Sequence, residues 1–240
     1  MKEKVLLEQL LVIDIETVSE KRSFDELSPE WRMLWDEKTR WTRPDDMDAE
    51  TFYPERAGVM AEFAKVICIG VGFFHRQEEG LSFRVKAIHG HDEKKLLEQF
   101  CETVARFENR KRPWQLAGHN IREFDIPFLC RRMLINRLPL PPYLDLQNRK
   151  PWETNLIDTF QYWRFGDYKQ FTSVKLLAAA LGVPSPKDDI DGGQVGSVYW
   201  QHDDLERIAR YCCKDVVTVA NILLCFQQQP LLEPEQIICS

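Results

Sequence analysis

The chain has 240 residues, 44% hydrophobic and 29% charged, with a formal net charge of −6. That is ordinary globular composition with room for a substantial core, and the acidity argues against a protein that coats long nucleic acid through a broad basic face. Seven cysteines with no CxxC pair form neither a disulfide framework nor a zinc ribbon, and they suit a reducing compartment.

The first ten residues, MKEKVLLEQL, are too polar and short for a secretory signal, and no apolar run approaches about 18 residues. A soluble, cytoplasmic protein without a membrane partner is expected. Leu10 to Ile13 reads as a strand buried on both faces. It ends in Asp14 and Glu16, which side-chain alternation puts on one face while Ile15 stays in the core. That pair makes half of a divalent-metal site, although taken alone a strand running out into solvent explains it more simply.

Residues 19 to 62 are polar and tryptophan-bearing. A helix there is capped by Ser28, carries Pro29 at its first position and shows Trp31, Leu34 and Trp35 on one stripe. The stripe is expected to dock on the sheet in preference to stacking on unpaired bases. AKVICIGVGFFH (64–75) and LSFRVKAIH (81–89), joined by RQEEG, read as an antiparallel pair. Asp92 caps the next helix, in which Leu96, Phe100, Val104 and Phe107 recur at helical spacing.

WQLAGH (114–119) is a further short strand and 126–137 a helix with Pro127 in its first turn. NLIDTF (155–160) supplies a fifth strand, and TSVKLLAAALG (172–182) a helix stopped by Gly182 and Pro184. The last long helix is expected from Asp203, boxed with Glu206, to about Phe226, with residues 227–240 as a loose tail. No repeat or linker interrupts this order, so the chain reads as one α/β domain with a mixed sheet.

Two further places hold acids of interest. Asp125 stands where a strand meets a helix, a position that suits the positive end of the helix dipole; as an isolated residue it is a cap. Tyr211 and Asp215 are four apart in the last helix and share a face. Asp215 lies at the edge of the apolar stripe Leu205, Ile208, Cys212, Val216, Val219 and Leu223, where it needs a cation, either a metal or an arginine. Two unit charges 4 Å apart repel by roughly 4 kcal/mol at an effective dielectric near 20, so gathering four carboxylates requires compensation. Hard oxygen donors without an organised His or Cys set suit Mg²⁺ or Mn²⁺.

DIET at 14–17, NIREFD at 120–125 and YCCKD at 211–215 resemble, in order and rough spacing, the three exonuclease motifs of the DEDD 3′–5′ exonucleases. The YxxxD form resembles the tyrosine branch, which contains the proofreading domain of family-B DNA polymerases; the position that the histidine branch uses is Arg210 here. FGDYKQFTSVKLLAAALG and PKDDIDG look like stand-alone bacterial relatives of that domain, and residues 10 to 226 follow the pattern.

The resemblance implies a ribonuclease-H-like mixed five-stranded sheet flanked by helices. It makes 1–240 a single exonuclease-like domain, with its core at about 10–226 and an insertion at about 19–62. It implies Asp14, Glu16, Asp125 and Asp215 as ligands of two divalent cations, Mg²⁺ or Mn²⁺, with Asp14 bridging, and Tyr211 as the group that orients the attacking water. Thr17, Asn120 and Phe124 would line the pocket for the terminal nucleotide. The implied substrate is the 3′ end of single-stranded nucleic acid, with DNA placed ahead of RNA. Polymerase, palm and thumb regions are absent, so proofreading in cis is not expected and a polymerase or repair partner is left open.

Other features fit less well. Asp158 is a fifth acid at a strand end, either a cap or a group behind the ligands. His89 and His91 form an HxH that would suit a barrel amidohydrolase, but that fold needs roughly 250 residues of βα units and further ligands. KDDIDGG at 187–193 lacks the spacing of an EF-hand. Among the basic pairs Arg110 to Arg112, Arg131 with Arg132, and Arg149 with Lys150, the middle pair is best placed to touch phosphate, because its helix begins beside Asp125. A non-catalytic nucleic-acid-binding module on the same fold is the main alternative function, ahead of a small-molecule metal hydrolase.

Overall fold

In the computed structural model, which describes residues 6–78, 80–108, 113–147, 149–150, 153–184 and 190–239, the first apolar run is the start of a longer strand. β1 (Leu10–Ser19) runs on through both acids and is buried along most of its length. It pairs antiparallel with β2 (Ala64–Gln77), which in turn pairs antiparallel with β3 (Gly80–His89). On its other side β1 is parallel to β4 (Gln115–Gly118), and β4 is parallel to β5 (Leu156–Asp158).

Among the described residues the sheet has six strands, in the order β5-β4-β1-β2-β3-β6, one more than the sequence pattern gives. The extra strand, β6 (Ile237–Cys239), comes from the segment expected to be a loose tail, and it lies parallel to β3 through Phe83↔Ile237, Arg84↔Ile238 and Val85↔Cys239. Two local features seat it. The Leu232 N–H donates to Asn221 Oδ1 at 2.9 Å, and Glu233 and Gln236 cap one another across the turn that precedes β6.

Alternation along β1 sorts two hydrophobic layers. Leu11, Ile13 and Ile15 face α3 (Glu93–Glu108) and α4 (Asp125–Ile135), whose Phe100, Val104, Leu129 and Met133 fill that side. Leu10 and Val12 face α8 (Leu205–Phe226) through Val216, Val219, Ala220 and Leu223. Asp14 and Glu16 continue the second face, so they emerge on the α8 side. Helix α8 comes close because the β2 partner of Asp14 is Gly70. A Cβ there would stand 2.7 Å from Val216 Cγ2 and 2.9 Å from Cys212 Sγ.

The insertion makes a core of its own. α1 (Pro29–Thr39) and α2 (Ala49–Arg56) enclose the fully buried Trp35 with Phe52, Tyr53 and Phe63, and the Trp35 indole N–H donates to the Ala49 carbonyl at 2.7 Å. Trp35 therefore packs within the insertion instead of on the sheet face, while Trp31 packs edge-on against Phe63 and stays 41% exposed. Ser28 caps α1 as expected, accepting from the Trp31 N–H.

Among the described residues the remaining α-helices are α5 (Thr159–Arg164), α6 (Val174–Ala180) and α7 (Val195–His202). The cap of α8 is Asp204, which accepts from the Arg207 N–H, and not Asp203. Asp203 ends α7 instead, in the left-handed region at φ 51°. Among the described residues no helix is long and apolar enough to cross a membrane.

Candidate active site

Three distant stretches of chain meet at the Asp14 end of β1. Asp14 and Glu16 share one face of the strand, directly opposite Gly70 and Cys68 of β2. Just beyond Glu16 the register shifts, and the pairing resumes one residue out of step at Thr17↔Val66, so an irregularity lies beside the acids. Asp125 is the first residue of α4 and is buried; its Oδ1 accepts the Ile15 N–H at 3.2 Å. One turn apart on α8, Tyr211 and Asp215 are joined by a side-chain hydrogen bond.

The electrostatics of this cluster are those of crowded negative charge. Burial raises the Asp14 carboxyl well above the usual range, and Glu16, Asp125 and Asp215 push it in the same direction. Burial does the same to Glu16, reinforced by Asp215, Cys68 and Asp125. Asp125 is pushed up to about 7 by burial, with Asp158 adding to the rise while its own N–H and that of Ile15 oppose it. The Tyr211 hydroxyl is driven far above the range in which a phenol ionises, by burial and then by Asp215.

Asp14, Glu16 and Cys212 offer ligand atoms all within 4.8 Å of one another. Asp125 and Asp215 lie outside that tight set, yet near enough for their charges to act on it. The charges acting on Asp14 are all carboxylates, and this is the arrangement that a hard divalent cation compensates. Carboxylate oxygens are also the donors such a cation takes, so the residues fit it. Nothing in the sequence marks Cys212 as a donor; its Sγ lies 3.6 Å from Asp14 Oδ2, a proximity hidden by its place in the apolar stripe of α8.

The other expected site residues are placed less uniformly. Asn120 sits in the left-handed region at φ 60°, and its N–H donates to Asp158 Oδ1 at 2.9 Å. Its side-chain Oδ1 is buried without a partner. Phe124 precedes α4 and packs against Phe128 at 5.4 Å, so it is half-committed to the core. The Thr17 hydroxyl donates to the Gly58 carbonyl at 2.6 Å, tying β1 to the insertion.

Asp158 is a clamp. Its Oδ1 accepts from the N–H groups of Asn120, Phe160 and Gln161 and its Oδ2 from that of Arg122. The Arg122 guanidinium adds bonds to Thr154 Oγ1 at 2.6 Å and the Leu156 carbonyl at 2.7 Å. Together these fix the loop that carries Asn120 and leads into Asp125.

Arg132, expected near phosphate, is instead buried in an ion pair with Glu93 at 2.6 Å, and it also reaches the Ala61 carbonyl and Glu20. Arg131 is exposed, as are Arg149 and Lys150. The HxH histidines separate, His89 to Glu206 at 3.0 Å and His91 to Tyr199 at 2.9 Å. Arg110 to Arg112 lie outside the described residues, as do residues 187–189 of the acidic loop, whose Asp191 forms a capping box with Gln194.

The family described as a predicted 3′-5′ exonuclease related to the exonuclease domain of PolB matches residues 59–230, more than half of the chain. The chain belongs to this family. Asp125, Tyr211 and Asp215 lie inside the matched range, and Asp14 and Glu16 lie before it. Its structure is similar to that of the family B DNA polymerase from the hyperthermophilic archaeon Pyrobaculum calidifontis, with a TM-score of 0.51 at 18% identity over 90% of this chain. The chain spans about a quarter of that polymerase, 24% of its length. At such identity the likeness concerns the fold, a mixed sheet flanked by helices of the ribonuclease-H-like kind. No curated protein matches it in sequence.

Proposed function

We propose that the whole chain is one exonuclease domain, with residues 19–62 as an insertion, that removes nucleotides from the 3′ end of single-stranded nucleic acid, DNA ahead of RNA. In this reading Asp14, Glu16, Asp125 and Asp215 hold two divalent cations, Mg²⁺ or Mn²⁺. The observation that carries it is the convergence of carboxylates from β1, α4 and α8 whose charges act on one another, since such a cluster costs several kcal/mol without cations. When bound, the cations supply the lowered pKa of an attacking water and the neutralisation of charge on the phosphodiester.

The chain's own groups do the rest. Tyr211 stays protonated at any pH of interest, so its role is to hold a water by hydrogen bonding while Asp215 fixes the phenol. The unpartnered Oδ1 of Asn120 is a ready acceptor for the terminal nucleotide. With the Thr17 hydroxyl engaged by Gly58, Thr17 contributes shape to the pocket, and Phe124 contributes its half-buried ring beside Phe128. Free thiols at all seven cysteines fit a reducing compartment such as the cytoplasm.

The test is digestion of a 5′-labelled single-stranded DNA and its RNA counterpart with Mn²⁺ or Mg²⁺, beside an EDTA control and Asp14→Ala. A ladder that shortens from the 3′ end and needs both metal and Asp14 is the expected result. Full activity of Asp14→Ala, or cleavage that persists in EDTA, would sink the assignment.

A further inference from the structure

A second surface begins beside the same end of the sheet. β1, β4 and β5 are parallel, and ligands of open α/β sheets bind outside the carboxyl ends of such strands. The chain leaving the carboxyl end of β5 passes through α5 into residues 165–171. There Phe165 is 82% exposed, Tyr168 73% and Phe171 63%. Three large aromatics within seven residues, all turned to solvent, mark a surface built for contact.

These rings are held from behind. Phe171 packs edge-on against Phe160 at 5.0 Å, Phe165 lies 5.8 Å from Tyr162, and the Arg164 guanidinium sits 4.9 Å over the Tyr168 ring. The segment is also braced on the loop that presents Asn120 and Asp125. His119 Nε2 meets the Thr172 carbonyl at 2.8 Å, and Arg164 and Gln161 both bond Glu123 Oε1 at 2.8 Å.

Distance and charge indicate the occupant. Tyr162 stacks at 4.6 Å on Phe226, which is eleven residues and about 16 Å along α8 from Asp215. Ile208 and Cys212 pack with Val18 and Cys68, and Leu223 and Leu224 with Leu7 and Leu10, so Phe226 lies toward the amino end of β1. The surface thus runs from Thr172, beside the carboxyl end of β4, back along α8 over a length that several nucleotides cover. Within a chain of net charge −6, residues 161–175 carry Arg164, Lys169 and Lys175 against the single acid Asp167. Lys169 and Lys175 are exposed.

We propose that Phe165, Tyr168 and Phe171 form a stacking platform for unpaired bases of the strand upstream of its terminal nucleotide, with Lys169 and Lys175 toward the phosphates. Stacking on aromatic faces suits every base, so the platform lends affinity and length preference without sequence preference. This proposal rests on the exonuclease reading above.

The test compares the wild type with Phe165→Ala/Tyr168→Ala and with Phe165→Trp/Tyr168→Trp. Affinity for a fluorescein-labelled single strand of about 16 nucleotides is read by anisotropy in EDTA, and kcat/KM on a trinucleotide is read in Mn²⁺. The alanine pair is expected to weaken binding of the long strand about tenfold per ring while trinucleotide turnover holds, and the tryptophan pair to restore the affinity. Unchanged long-strand affinity in the alanine pair overturns the platform, as does an equal fall on both substrates. A wild type that leaves the trinucleotide uncut and gives no ladder on the labelled strands of the digestion above overturns the exonuclease reading itself, so the two failures are distinct.

Discussion

The backbone N–H of Ile15 donates to Asp125 Oδ1 across 3.2 Å, between residues 110 apart in sequence. Ile15 is the core-facing residue between the two acids of β1, and its side chain belongs to the layer against α4. One bond therefore sets the carboxylate of α4 at the level of Asp14 and Glu16. It also leaves Asp125 with an oxygen for another partner, because Oδ2 is free of this contact.

The crowding at these acids gives a pH dependence whose sign can be worked out. Asp14, Glu16 and Asp125 all hold their protons above the ordinary carboxylate range, Asp125 to about 7, with burial as the first cause in each. In the unfolded chain they titrate near 4. Between about pH 4 and 7 the fold thus binds more protons than the unfolded chain, and its stability falls as the pH rises through that window. In EDTA the Tm is expected to drop from pH 5 to pH 8. Mg²⁺ or Mn²⁺, binding the fold alone, should raise it at pH 8 and hardly at pH 5. Asp125→Asn should raise the EDTA value at pH 8 by roughly 2–8 °C, corresponding to about 1–2 kcal/mol. Thermal melts across the pH series check all three, and a Tm that climbs from pH 5 to pH 8 in EDTA contradicts them.

The Arg132–Glu93 pair is a structural element with no free capacity for substrate. Glu93 accepts two bonds from the guanidinium, one from the Val66 N–H and one from Asn136 Nδ2. Removing one partner strands a buried charge, at a cost of roughly 3–5 kcal/mol. Arg132→Ala is expected to lower the Tm by roughly 6–20 °C. Arg132→Met combined with Glu93→Leu should recover much of that loss, because it removes both charges together. Melting curves of the single and double variants decide the point; equal losses in the two would contradict it.

What the sequence reveals follows the range of the forces involved. The acids of β1 are legible because alternation is a local rule, and the caps at Ser28 and Asp92 because a cap bonds within its own first turn. The pair Asp203–Asp204 is ambiguous on the same rule, since either acid can cap; the left-handed turn that ends α7 gives that place to Asp204. The place of Arg132 is not legible because its partner is 39 residues away, and charge pairing at that distance leaves no sequence pattern. β6 escapes because three residues show no usable alternation and its hydrogen bonds come from β3. The stripe of α1 is visible, but periodicity marks a buried face without naming what covers it.

Gly70 shows how the sheet admits α8. Gly70→Ala puts a methyl 2.7 Å from Val216 Cγ2 and 2.9 Å from Cys212 Sγ, on a helix whose next residues include Asp215. The helix must shift, and such overpacking costs about 1–3 kcal/mol. The Tm is expected to fall by roughly 2–12 °C, with weaker Mn²⁺ binding by calorimetry. Gly90→Ala, whose Cβ meets nothing within 4 Å, is the control and should leave both unchanged. Wild-type metal affinity in Gly70→Ala would mean that α8 does not help to set the acids.

Asp158 separates holding from charge. Asp158→Ala removes an acceptor shared by four N–H groups, those of Asn120, Arg122, Phe160 and Gln161. The loop before Asp125 loses its clamp and α5 its cap, so nuclease activity is expected to fall about 10–100-fold, the usual effect of removing a group that holds ligands from behind. Asp158→Asn keeps Oδ1 and with it three of those bonds, and it should retain most of the rate. Both variants delete a negative charge that raises the Asp125 carboxyl. Without that neighbour Asp125 ionises at lower pH, so the acid limb of the pH–rate profile should move to lower pH in both. The limb of Asp158→Asn is the cleaner measurement, because the loop stays in place. A limb that stays put, or moves to higher pH, would show that Asp158 does not act on Asp125 through its charge.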